Sequence, residues 1–225
     1  MTRVVLIDGP LPTDFPGLMM QGYICTPHPD IARSPAARHG LAMGQAITRA
    51  GPVDIDNYVV FPGRLATSLD VICEAITQAA DSTAQIIHCS FGLPDPSPQL
   101  ADAVNAALGR GKRIVASAAA RGAVVYPAGF SGVISVQGDA RCGPQDWSWL
   151  DLPHAMFGAC ASGPDPQIGG ASVAAAQFTG HFAQAMRRNA AHMMTARARF
   201  IGREHKRADE NGGEGRAHDD IRGVE

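Results

Sequence analysis

A chain of 225 residues can bury one substantial core, and an α/β chain of that size is routinely a single domain. A formal net charge of −2 gives no electrostatic footprint for nucleic acid or an acidic membrane, and 6% aromatic residues leave little for a base-stacking platform. The five cysteines, at 25, 73, 89, 142 and 160, are odd in number and lack metal or redox spacing, so they read as reduced thiols of a cytoplasmic protein.

Residues 3–7 read as a buried strand, and 9–38, rich in Pro and Gly, as loop with short pieces. A helix is expected from His39 through the small-residue pattern Gly40 to Ile47. Asn57 to Phe61 is a second strand, closed by Pro62-Gly63. Ser68 caps a helix through about Ala80, with Leu69, Ile72, Cys73 and Ile76 on one face. Strand 85–89 follows, then Ser97-Pro98 as a cap and first-turn proline, then a helix carrying Leu100, Val104, Ala107 and Leu108 and stopped by Gly109 and Gly111. Strands 113–117 and 132–137 complete a strand–helix alternation that predicts a mostly parallel sheet flanked by helices. Residues 138–169 have no clear period and read as loops and short strands. A helical pattern spans 172–201, and the polar stretch from Arg203 to Glu225 reads as a mobile tail, leaving 1–201 as the folded unit. There is no secretory signal and no apolar run long enough to span a bilayer.

Three strings carry chemistry. Val4-Val5-Leu6-Ile7-Asp8-Gly9 is an apolar strand ending in an acid, His39-Gly40 stands at a tightly packed helix, and Gly170-Ala171-Ser172 leads a serine into an apolar helical run. A serine hydroxyl needs a base to take its proton, and the base needs an orienting carboxylate. Taken singly, each residue has a plain structural role: Asp8-Gly9 as a turn, His39 as one of eight histidines, Ser172 as a helix cap.

In order and spacing these strings resemble the subtilisin-like serine proteases, over about residues 3–185. Three further strings support the likeness: Ile86 to Gly92, which ends in Ser90-Phe91-Gly92; Arg113 to Gly122; and Tyr126-Pro127-Ala128 with the strand after it. The resemblance implies a three-layer α/β fold, a catalytic triad of Asp8, His39 and Ser172, and no metal or cofactor. It implies a polypeptide substrate lying as an extended strand beside Ser90, Phe91 and Gly92, with Ala118, Ala119 and Ala120 as the other pocket wall. The chain departs from the family pattern in two places. Leu41-Ala42 follow His39-Gly40 where the family has Thr-His, and Ala120 stands where the family places the asparagine that donates to the oxyanion. Arg121 is a candidate substitute donor, and loss of such a donor costs roughly 100- to 1000-fold in turnover. Asp8 lies eight residues from the start, so the expected catalytic unit lacks both signal and prodomain.

The resulting expectation is a serine endopeptidase with one dedicated substrate, acting in peptide or protein maturation, with other maturation proteins as candidate partners. In size and character the chain is similar to the small maturation proteases that remove a leader peptide in quinohemoprotein amine dehydrogenase biogenesis. The alternative is a catalytically impaired relative that binds peptide as a scaffold. A nucleotide-binding domain is disfavoured, because no glycine-rich phosphate loop follows the first strand.

Overall fold

The structure is a computed structural model that describes residues 1–119 and 123–189. Its eight strands are β1 (Arg3–Asp8), β2 (Leu18–Tyr23), β3 (Asp54–Val59), β4 (Ile86–Cys89), β5 (Arg113–Ser117), β6 (Ile134–Gly138), β7 (Trp147–Leu152) and β8 (Ala155–Ala159). The helices are α1 (Pro35–Thr48), α2 (Leu69–Asp81), α3 (Pro98–Gly109) and α4 (Ala171–Arg187). The strands form one sheet in the order β2-β3-β1-β4-β5-β6-β8-β7, parallel except for the β7–β8 pair.

Strand β1 is the centre of this arrangement. Val4, Val5, Leu6 and Ile7 are all 0% exposed, as expected of a strand covered on both faces. Side chains alternate along it: Val4 and Leu6 pack with α1 and α4, and Val5 and Ile7 pack with α2 and α3. The same alternation sends Ile55, Ile86 and Val115 to the first face and Ile87, Cys89, Ile114 and Ala116 to the second. The molecule is therefore three layers thick, with a separate apolar core on each side of the sheet. Helices α1 and α4 meet closely because Gly180 has no side chain: a Cβ there would lie 2.2 Å from the Ile47 carbonyl oxygen.

Several boundaries differ from the sequence expectation. Helix α1 begins four residues before His39, because Ser34 accepts a hydrogen bond from the Ala37 amide (3.2 Å) and Pro35 fills the first turn. Residues 18–23, expected as loop, form β2 on the sheet edge, where Met19 and Met20 are exposed and a bulge breaks any alternation. β3 starts at Asp54 rather than Asn57, its polar residues being held by partners. Residues 138–169 contain the β7–β8 hairpin, and α4 ends at Arg187. The expected continuation through 201 and the polar tail lie outside the described residues. No helix among the described residues is long and apolar enough to cross a membrane.

Candidate active site

Asp8 is the last residue of β1, and the sheet alternation turns it toward α1 and α4. It is 0% exposed, so its carboxylate requires compensating donors. It has three. The Gly9 amide donates to Oδ1 at 2.6 Å, Ser90 Oγ donates to Oδ2, and His39 Nδ1 lies 2.8 and 2.9 Å from the two oxygens.

His39 reaches Asp8 because two glycines let helix and strand end touch. A Cβ on Gly9 would lie 1.9 Å from the Ala36 carbonyl oxygen, and one on Gly40 would lie 2.5 Å from the Gly9 carbonyl oxygen. The acid-glycine and histidine-glycine pairs of the sequence are thus the two halves of one close contact. A carboxylate accepting at Nδ1 fixes the tautomer with its proton there and leaves Nε2 as the acceptor. Burial opposes the imidazolium, but the hydrogen bond and charge of Asp8 outweigh it, and the pKa of His39 is raised above the ordinary histidine value.

Ser172 is the second residue of α4, after Gly170 at the cap position, so the serine is not the cap. Gly170 has φ of 92°, the left-handed region that favours glycine. Ser172 Oγ donates to the Ser90 carbonyl at 2.9 Å. Ser90 therefore touches both groups: its hydroxyl holds Asp8 and its backbone holds the Ser172 hydroxyl. Of the expected triad, Asp8 and His39 are in direct contact, and Ser172 is joined to them through Ser90 rather than by a bond to His39.

The expected substrate walls sit on adjacent strand ends. Ser90-Phe91-Gly92 continues β4, and Ala118-Ala119 continues β5, with Ser117 Oγ donating to the Phe91 carbonyl (3.3 Å) and the Ala118 amide to the Val136 carbonyl (2.8 Å). Ala120 and Arg121, the expected oxyanion segment, lie outside the described residues. Among the described residues no three His, Cys, Asp or Glu side chains gather as a metal-holding group.

Three supporting groups were not foreseen from sequence. Asn57 on β3 is 0% exposed and donates to the Gly9 carbonyl (3.1 Å) and to Gln21 Oε1 (2.7 Å), which also accepts from the Leu11 amide (2.8 Å). This clamp fixes the three residues after Asp8. His88 lies beside Leu6 in the sheet, fully buried, 2.9 Å from Thr179 Oγ1, and the Thr179 hydroxyl donates to the Ala175 carbonyl. Burial pushes His88 down to about 4 even against the nearby Asp8 charge, so it is a neutral neighbour of the pair. Arg38 donates to Asp165 (2.7 Å) and Gln167 (2.8 Å), tying the helix of His39 to the loop before Ser172. Period-2 alternation on β3 flags Asn57 as an inward polar residue, but nothing in the sequence assigns its partners.

No protein-family model and no curated protein matches this chain. Solved structures do. The protease domain of PatA, solved as a serine-to-alanine mutant, is similar at TM-score 0.65 and 19% identity, over 84% of this chain and 81% of that one. The prenylagaramide maturation protease PagA is similar at TM-score 0.61 and 18% identity, over 84% of this chain and 78% of that one. The chain has the subtilisin-like three-layer α/β fold shared by these structures.

Proposed function

We propose that the protein is a serine endopeptidase in which Ser172 attacks a peptide carbonyl, His39 takes its proton and Asp8 orients His39. The observation that supports this most is the fully buried Asp8 carboxylate facing His39 Nδ1 at 2.8 Å, with Ser90 linking that pair to the Ser172 hydroxyl. The mechanism requires the Ser172 hydroxyl to leave the Ser90 carbonyl for His39 Nε2, and apo sites often hold such bonds loosely.

The chemistry follows from these placements. Proton transfer from Ser172 Oγ to His39 Nε2 creates an imidazolium whose charge Asp8 stabilises without itself taking the proton. The first-turn amides of α4 have no intrahelical acceptor, so they face the developing oxyanion with the positive end of the helix dipole. His39 then returns the proton to the leaving amine, and water repeats the sequence on the acyl-enzyme.

The substrate reading is a precursor peptide or protein held as an extended strand along Ser90-Phe91-Gly92. It draws on the likeness to PatA and PagA, the second of which is named as a maturation protease. Removal of a leader from a quinohemoprotein amine dehydrogenase subunit is a narrower form of it, resting on size and character alone. Five free thiols support a reducing compartment, the cytoplasm. Incubation with a fluorophosphonate tests the reading: the wild type gains a covalent adduct on Ser172, and a protein that only binds peptide gains none.

A further inference from the structure

The ends of β3 and β4 flank Asp8 on either side of β1, so the chain leaving β4 (Ser90 to Gly92) and the chain leaving β3 (Pro62 to Arg64) form two banks over the site. The β3 bank and the segment before α1 line an open cleft of about 460 Å³. Its polar lining is His28, Asp30, Arg33, Ser34 and Arg64. The His28 ring accepts from the Asp30 amide (3.2 Å), and the Ser34 hydroxyl donates to the Ile31 carbonyl (2.6 Å), so these two are already engaged. The two guanidinium groups are not. Among the described residues the side chains of Arg33 and Arg64 have no hydrogen-bond or ion-pair partner, as is also true of Arg49, Arg113 and Arg187, but only these two line one cleft together. Asp30 supplies one negative charge against these two positive ones and pairs with neither.

The cavity is close to the proposed chemistry. Pro35, in its wall, precedes His39 by four residues and so lies on the same face of α1, about 6 Å along the axis. The Ala36 amide donates to the Gly63 carbonyl (3.3 Å), fixing the two walls to each other. An extended peptide advances about 3.3 Å per residue, so about two residues span the axial separation of Pro35 and His39.

Resting on the serine-endopeptidase reading, we propose that Arg33 and Arg64 form a subsite for an acidic side chain, an Asp or Glu within three residues of the scissile bond. A guanidinium fork matches a carboxylate in two parallel hydrogen bonds. The substrate class is thereby narrowed to peptides acidic beside the cleavage point.

The test is selection of a displayed random peptide library on Ser172→Ala protein, followed by affinity measurement of the selected peptides and their Asn or Gln counterparts. The expected result is enrichment of Asp or Glu at one position. Exchange for the neutral amide, or the double change Arg33→Ala with Arg64→Ala, weakens binding about 10- to 100-fold. Arg33→Glu with Arg64→Glu shifts the selected residue to Lys or Arg, and the acidic preference of the starting protein fades as salt rises. Unchanged melting temperatures show that the variants are folded. Absence of an acidic preference, or one that survives the arginine changes, overturns the subsite. Fluorophosphonate labelling of the wild type, run alongside, reports separately on the serine-endopeptidase reading.

Discussion

On the α2/α3 face of the sheet the buried charge is Asp56, and on the α1/α4 face it is Asp8; the strands that carry them are neighbours. Asp56 receives two 2.7 Å bonds from Arg3, a permanent cation whose pKa the hydrogen bond with Asp56 raises further. Asp8 receives its bonds from a backbone amide, a hydroxyl and a histidine. Both carboxylates are compensated, but only one compensating group titrates near neutrality. The Asp56 pair joins β1 to β3, whereas the Asp8 pair holds a group that, in the proposed mechanism, passes a proton. The rest of each face matches: the α2/α3 core is built from apolar side chains, Tyr58 and Phe61 among them, and the α1/α4 side of the sheet admits Asn57, His88 and Thr179.

The comparison breaks most sharply on Asp8 itself. Asp8→Asn keeps the shape and reverses the tautomer preference, and it is expected to slow acylation of Ser172 by about 10⁴-fold. Asp56→Asn is expected to leave that rate within about twofold, since it touches no reacting atom. Rates of fluorophosphonate incorporation measure both, and similar losses for the two would mean that the faces are not functionally distinct.

The glycine contact comes next. Gly9→Ala or Gly40→Ala drives a methyl into backbone, and a displacement near 1 Å between acid and base costs about 100-fold in rate. Thermal unfolding and acylation are both expected to suffer. Third, Asp56→Asn is expected to destabilise by about 2 kcal/mol, less than a fully buried pair because the Arg3 side chain is 32% exposed. Denaturant titration reads this directly.

Proton linkage sharpens the same contrast. In the proposed mechanism the neutral imidazole is the reactive form, and the raised His39 pKa then places the half-maximal rate above the ordinary histidine value of about 6.5. The His39–Asp8 interaction contributes stability that is fully present below the unfolded-state pKa and is lost as pH rises through the folded one. In Asp8→Asn only burial remains, and the midpoint drops. A rate profile with the same midpoint in both proteins would remove Asp8 from the mechanism. The smallest effect belongs to the clamp: Gln21→Ala is expected to cost about 1 kcal/mol in stability and about tenfold in acylation.

Much of the fold was legible because its signals are local. β1, β4 and β5 are short, mainly apolar runs, and Ser68, Ser97 and Pro98 announce α2 and α3. The same cap signature at Ser34-Pro35 was masked by the surrounding prolines and glycines. β2 stayed hidden because an edge strand buries too little to show a pattern, and the start of β3 because Asp54 and Asp56 gain their place from a neighbouring strand. At the candidate site, Asp8, His39 and Ser172 were readable from their glycine neighbours. The Ser90 hydroxyl, Asn57, Gln21 and the two cavity arginines were not readable as a group, since only the sheet order brings residues so far apart in sequence to one place.

The most direct measurement is intact-mass and peptide mapping after fluorophosphonate treatment of the wild type and of Ser172→Ala. The expected result is a single adduct on Ser172 in the wild type, formed faster as pH rises through the His39 transition, and none in the variant. Wild-type protein that stays unmodified, or an adduct that persists in Ser172→Ala, would contradict the assignment of Ser172 as nucleophile.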